Sequence, residues 1–533
     1  MILMLIFLSA LSVLLMPAIG VQAATIPVNC PADSLASAIA LASPGDTLQI
    51  SGTCVGNFVV DRNLTLQGSP TATLDGGKAG TVLTINSGVT ATVDSLTISG
   101  GKGMEGAHGT DGDSPGPGGA GQAGGITNNG TLTLTNSTVS HNTGGNGGAG
   151  GNFPFGAAQN GASGGPGGGA GSGGIVNFGA LTIFNSSVSH NNGGHGGGGG
   201  HSYHVGGVGG AGGTGGITNF GSLTLGNSTV SSNIAGNTGP GGALYGNANA
   251  KAAGSPGASG GIFNSGTMTV QSSTVSVNTG GAGGDGSPQY QNQPYGLVGG
   301  SGGLYNNGAA SLTNSTISGN FGGAGGVASS VCIDEQRAAS GGAGGVGGLS
   351  SSGNLDVTAV TISHNTGGAG GRGGDPVFSI EGVRCFFPGN RGTGGNGGVG
   401  GSLTMIGSII AHNHPGNAVS CSGCSFGPVG GPDCRGATIT SNGYNLLGVA
   451  NGCDFATSSE TDLKGTEADP LNPKLDPLAK NGGPTGTMAL RPDSPAIDKI
   501  PPSNQDACPA TDQRGVTRPQ SSACDIGAFE LAP

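Results

Sequence analysis

Residues 124–142 read GGITNNGTLTLTNSTVSHN, in which Leu132, Leu134 and Asn136 alternate with threonines. A period of two predicts a strand with one face turned inward. Val139 lies three residues beyond Asn136, so the inward parity changes and the strand must bend between them. Near-copies follow six times, with closing asparagines at Asn142, Asn191, Asn233, Asn278, Asn320, Asn365 and Asn413, spaced by 49, 42, 45, 42, 45 and 48 residues. Such a period means a solenoid, a propeller or an array.

Three apolar columns align between copies. The first is Ile126, Ile175, Ile217, Ile262, Leu304 and Leu349; the second Leu134, Ile183, Leu225, Val270, Leu312, Val357 and Met405; the third Val139, Val188, Val230, Val275, Ile317, Ile362 and Ile410. A bent strand with short sides selects a solenoid coil, and stacked copies fuse the columns into one core. Gly130, Gly179, Gly221, Gly266, Gly308 and Gly353 are expected at tight corners that need positive φ. Asn128, Asn177, Asn219, Asn264 and Asn306 share the parity of the apolar residue before them, so their amides point toward the core and need a ladder of stacked partners. His141, His190, His364 and His412 occupy one turn column and read as turn residues rather than metal ligands.

Ahead of the repeats, Leu35, Ala38, Ile39 and Ala42 follow helical spacing and Pro44-Gly45-Asp46 ends the run, which predicts a short helix over 33–42. Strand-like segments follow at 48–50, 58–60, 64–66, 82–85 and 93–98. An open first coil needs such a cap, because an uncovered edge invites association. With the coil-like TLQISGTCVGNFVVDRNLTLQG after the helix, residues 24–413 resemble the pectin-lyase-like right-handed parallel β-helix families. The resemblance implies an all-β, right-handed parallel β-helix solenoid.

Between copies lie inserts such as GGNGGAGGN and GGHGGGGGH. With so little apolar surface to offset backbone ordering, they read first as flexible loops extruded on one side. The alternative is that they stack as polyproline-II-like glycine strands, because successive inserts leave the same corner.

Composition agrees with a repeat architecture: 120 glycines, no tryptophan and 8% charged residues suit no ordinary globular core. The net charge of −11, with no basic run, argues against nucleic acid or an anionic bilayer as partner. Residues 1–16 are almost wholly apolar, and Val21-Gln22-Ala23 fits signal-peptidase cleavage, which predicts export and a mature chain from Ala24 without a membrane span. In that compartment the ten cysteines favour disulfides. Cys30 with Cys54 and Cys508 with Cys524 are the expected local pairs, and Cys332 with Cys385 would bridge neighbouring inserts. Cys421, Cys424, Cys434 and Cys453 fit two disulfides better than a four-thiolate zinc site.

From His414 the period breaks and Pro, Asp, Lys and Arg increase. The segments SNGYNLLG (441–448), DPLAKNGGPTGTMALRPDSPAIDK (476–499) and DQRGVTRPQSSACDIGAFE (512–530) closely resemble the choice-of-anchor Q domain of bacterial surface and secreted β-helix proteins. That likeness implies extracellular or cell-surface placement. The organisation read from sequence is a signal peptide over 1–23, a cap and first coils over 24–100, repeats with inserts over 101–413, and a closing module over 414–533.

Short motifs in the inserts carry little weight. GGRGGDPVF (370–378) matches one calcium-binding nonapeptide, but such sites need consecutive copies. Gly194-His195-Gly196 lacks the acidic and basic partners that glycan hydrolysis would need. The repeats contain almost no carboxylates, and the one mixed-charge group is Asp334, Glu335 and Arg337, which Asp375, Glu381 and Arg384 of the next insert would join if the two lie side by side. The sequence therefore predicts a secreted structural or adhesive β-helix protein with no metal or cofactor, whose partner is a glycan or cell-envelope component. The rival reading is a polysaccharide lyase or glycoside hydrolase acting on the coil face.

Overall fold

The computed structural model describes residues 23–154, 163–203, 205–244, 247–251, 253–286, 295–328, 340–373, 390–417 and 430–533. Six of the seven repeats fold as a coil with three short strands, the first repeat giving Ile126–Asn128, Thr131–Thr135 and Thr138–Ser140, and in the seventh the first two merge into Val399–Ile406. Each coil strand pairs in parallel with its counterpart in the next coil, as Ile126 with Ile175, Leu134 with Ile183 and Val139 with Val188. The result is a right-handed parallel β-helix, the hand that parallel crossovers take. The three predicted columns line its interior and are almost wholly excluded from solvent.

The bend falls where the parity change placed it, and the residues that make it are not the predicted glycines. Asn136, Asn185, Asn227, Ser272, Asn314 and Ala359 carry φ of 46–51°, and the column His141, His190, Ser232, Val277, Gly319, His364 and His412 lies at 55–67°. Asparagine and histidine tolerate this region better than most residues. Gly179, Gly221, Gly266, Gly308 and Gly353 are required for a different reason. A Cβ on Gly179 would sit 1.9 Å from the carbonyl oxygen of Gly130, and one on Gly221 2.0 Å from that of Gly179. Close stacking of backbone on backbone, rather than backbone dihedral, selects glycine in this column.

The buried asparagines form ladders. Asn128 donates through Nδ2 to Oδ1 of Asn177 at 2.7 Å, and the same bond repeats from Asn177 to Asn219, Asn219 to Asn264 and Asn264 to Asn306. A second ladder runs from Asn142 through Asn191, Asn233, Asn278, Asn320 and Asn365 to Asn413, each amide donating to the next at 2.8–3.0 Å. An amide carries both donor and acceptor, so identical side chains satisfy one another once the coils are in register.

The glycine-rich inserts are ordered over most of their described length, which overturns the flexible-loop expectation in favour of stacked glycine strands. Gly144, Gly147 and Gly150 donate to Asn192, His195 and Gly198 of the same limb in the next coil. Their neighbours Gly145, Gly148 and Gly151 donate to Gln122, Gly119 and Gly116 of a returning limb. A donor direction that recurs every three residues is polyproline-II periodicity, and here backbone bonds between chains replace the water that solvates an isolated one. Glycine makes the spacing achievable: a Cβ on Gly148 would lie 2.0 Å from the carbonyl oxygen of Ala107.

The first coil is capped by a helix, Leu35–Leu41, whose Ser34 Oγ accepts from Ser37 N at 3.2 Å while Leu35 and Ile39 are buried. Thr25–Asn29, absent from the sequence reading, forms the outermost strand and pairs with Thr47–Val55. At the other end the ladders continue beyond His414, through Thr438–Ser441 and Leu446–Leu447 to Asp454–Thr457 and Leu463–Lys464. The remaining tail folds back along the outside of earlier coils and shares a second apolar core with Ile409 and Leu446, built from Leu475, Met488, Leu490, Ile500 and Ile526.

Residues 512–530 hold that tail together. Asp512 accepts from the backbone of Arg514, Val516 and Glu530, and Arg514 both pairs with Asp512 and lies 3.6 Å over the ring of Phe529. Glu530 is buried beside Arg518 and accepts the backbone N–H groups of Gln520 and Asp525. Burial pushes the carboxyls of both Asp525 and Glu530 up from their ordinary range.

Candidate functional groove

The outward face of each coil's second strand presents a column of hydroxyls. Thr25, Thr47, Thr65, Thr92, Thr133, Thr182, Thr224, Thr269, Ser311, Asp356, Thr404, Thr440 and Thr457 are paired each with the next from one end of the solenoid to the other, with one register shift just before the Thr440–Thr457 pair. Threonine suits this position because a branched side chain packs well on a pleated face. Aspartate does not, yet Asp356 stands in the column, exposed and flanked by Ser311 and Thr404.

Asp356 faces a groove of about 450 Å³ between the coils and the tail. Its coil wall is Asp356, Thr358 and Thr404, and its other lining groups include Asn442, Asn504 and Asp506. Met405 and Ile406 add apolar surface. Asn504 and Asp506 are carried by a loop fixed at both ends: Ile500 bridges Cys524, and Cys524 is disulfide-bonded to Cys508. Within the loop, Asn504 Oδ1 accepts from Ala507 N at 3.2 Å. The loop is seated against Gly407, where a Cβ would lie 2.8 Å from the carbonyl oxygen of Ala507, and Gly527 N donates to Gly407 O at 2.8 Å. Among the described residues neither Asp356 nor Asp506 has an ion-pair or side-chain hydrogen-bond partner. Two unpaired carboxylates therefore line one groove, with amides and hydroxyls around them.

Asp334, Glu335, Arg337, Asp375, Glu381 and Arg384 lie outside the described residues, as do Cys332, Cys385, Cys421 and Cys424. Cys30–Cys54 and Cys508–Cys524 are bonded as expected, and Cys434 pairs with Cys453, which removes two thiolates from the four-thiolate zinc alternative. Within the histidine column His141 stacks on His190 at 5.2 Å between ring centroids, whereas His364 meets His412 edge to face at 5.4 Å. Burial pushes the His364 and His412 imidazoles below their ordinary range. Among the described residues no three His, Cys, Asp or Glu side chains converge as a metal site. His195 has a structural part: its Nδ1 accepts from Asn237 N at 3.1 Å, one step in a chain of side-chain bonds along the insert layer.

The sequence reading counted the repeats as nearly free of carboxylates and so passed over Asp356. The signal was present, since aligned copies have threonine or serine at its position. Asp506 gave no such signal, because only the fold-back of the tail brings it to the coil face. A second outward feature was also missed: Phe178, Phe220, Phe263 and Tyr305 form a stripe across four coils, with successive ring centroids 5.3, 6.2 and 5.8 Å apart.

No protein-family model matches the chain, and no curated protein matches it. Solved structures that align with the chain include two lyases. The pectate lyase Pel9A aligns over 96% of this chain and 97% of its own, with 12% identity and a TM-score of 0.36. The PL6-family alginate lyase AlyGC aligns over 92% of this chain and 58% of its own, with 10% identity and a TM-score of 0.24.

Proposed function

We propose that the protein is a secreted or cell-surface β-helix that holds a glycan in the groove between its coil face and its tail. The observation that carries this reading is the lining. Asp356, Asn442, Asn504 and Asp506 offer planar carboxylates and amides suited to paired sugar hydroxyls, Thr358 and Thr404 add single hydroxyls, and Ile406 adds apolar surface for a sugar's C–H face. The ring stripe from Phe178 to Tyr305 supplies a second surface on which sugars can pack. Export, the signal peptide and the choice-of-anchor character of the closing module belong to the same proposal, and three disulfides among the described residues are compatible with it.

A second reading is favoured by one observation, the two carboxylates that line the same groove. Paired carboxyl groups are the machinery of glycoside hydrolysis, one acting as acid and the other as base or nucleophile. On that reading the protein cleaves the glycan it holds.

One experiment tests both. Purified protein is screened against an array of oligosaccharides, and each binder is then assayed for new reducing ends. Binding that weakens at least tenfold in Asp356→Thr, without new ends, supports the holding role. New ends that disappear in Asp356→Thr or Asp506→Asn support hydrolysis. Full-strength binding by both variants would place the ligand elsewhere and refute the groove reading.

A further inference from the structure

The charge of the groove narrows the class of ligand, an inference that rests on the glycan reading above. We infer that the groove selects a glycan bearing free amino groups, a polymer of glucosamine type, and rejects polyuronates.

Three observations converge. Asp356 interrupts a hydroxyl column that runs the length of the solenoid, and it does so at a row that lines the groove between coils and tail. Asp506 lines that groove too, and no lysine or arginine is among the lining residues. Neither carboxylate is compensated by a described side chain, whereas every carboxylate buried in the tail is supplied with backbone donors or an arginine. Uncompensated like charges that share a cleft repel a polyanion and attract a cation, and the cleft's low-dielectric walls concentrate that field. The net charge of −11 over the whole chain acts in the same sense at longer range.

An ammonium group on a sugar ring satisfies both demands. It donates three hydrogen bonds, enough to engage Asp356 or Asp506 and a neighbouring amide oxygen, while the remaining hydroxyls pair with Asn442, Asn504 and Thr404. An N-acetylated sugar keeps the hydroxyl contacts and loses the charge. A uronate keeps the hydroxyl contacts and reverses it.

The test is calorimetric titration of the intact protein with three hexasaccharides: β-linked glucosamine, its fully N-acetylated form and galacturonate. At low salt and pH 6 the glucosamine hexamer should bind at least tenfold tighter than the acetylated one, galacturonate should give no heat, and added salt should shrink the preference. Asp506→Asn should reduce the preference for amine by about tenfold. Asp356→Thr restores the residue type of its column and should fold normally with the same loss of selectivity. Equal binding of glucosamine and acetylated hexamers, or binding of galacturonate, would overturn the amine selectivity and leave the glycan groove standing. An amine preference undiminished in both variants would overturn the assignment of the carboxylates. No binding by any of the three would overturn the amine inference; binding of other sugars in the array would then keep the broader glycan reading alive, and failure there too would end it.

Discussion

Nδ2 of Asn413 donates to Oδ1 of Asp433 at 2.9 Å, and at that contact the longer asparagine ladder ends. Each amide in the ladder passes its donor toward the C-terminal coil, so the last one needs a partner that accepts without having to donate onward. Asp433 provides it: Oδ1 takes Asn413, and Oδ2 takes the backbone N–H of Val449 at 2.8 Å. A neighbouring chain of bonds closes in the same way, since Ser408 N donates to Asn445 Oδ1 and Asn445 Nδ2 donates to Asp462. In both cases a carboxylate stands where stacking runs out.

Burial pushes the Asp433 carboxyl up to about 6, against the donors from Asn413 and Val449 that pull it down. Its folded value then exceeds the ordinary carboxylate value of about 3.9, so between pH 4 and 6 the native state binds more protons than the unfolded one. This contribution to stability is complete below about pH 4 and is lost as pH rises through 6, by roughly 2–3 kcal/mol at most. Asp433→Asn should flatten that part of the stability profile while costing about 1 kcal/mol, because its amide cannot satisfy both Asn413 and Val449. Chemical denaturation at several pH values checks it; a slope unchanged in the variant would assign the effect to another group.

Val277 occupies the positive-φ column at 58°, where a β-branched residue is unfavourable and its neighbours are Ser232 and Gly319. Val277 is half exposed, so little packing is lost on replacement. Val277→Asn should stabilise the protein by about 1 kcal/mol, read as a raised midpoint of unfolding. A lowered midpoint would contradict the strain.

In the insert layer, Gly148→Ala places a methyl against the Ala107 carbonyl and has to spread two glycine strands. Backbone amides at Gly148 and Gly168 should lose hydrogen-exchange protection, while those of Val139 and Val188 in the coils keep theirs. Ala149→Ser, at the position of the Gly-Gly-X triplet that carries the side chains, should leave exchange unchanged. Equal protection in both variants would refute the packed lattice.

Gln513 docks the tail on the solenoid. Its Nε2 donates to Thr274 Oγ1 at 3.0 Å and to Gly486 O at 2.8 Å, and its Oε1 accepts from Thr316 Oγ1 at 2.6 Å. Gln513→Ala strands several buried polar groups and should cost about 2–3 kcal/mol. Limited proteolysis should then cut the tail first, and glycan binding should weaken with it, because the tail carries Asn504 and Asp506. Loss of stability without easier cleavage of the tail would show that the docking contacts are not its anchor.

Much of the architecture follows from the sequence alone. The coil, its bend and its three core columns are properties of a local period repeated in register, and stacking converts that period directly into contacts. The asparagine ladder was legible for the same reason, since identical residues at identical parity meet. Tertiary structure decided what no single copy contains. Whether Gly-Gly-X inserts remain loose or crystallise into a layer depends on hydrogen bonds between limbs of different coils, which have no counterpart within one insert. The column of Gly130 and Gly179 was assigned to φ because backbone clash between stacked coils cannot be seen in one of them. The groove is the clearest case: Asp356 was marked by its departure from threonine, but Asp506 reaches it only because the chain doubles back 150 residues later (506 − 356), and a fold-back leaves no period to read.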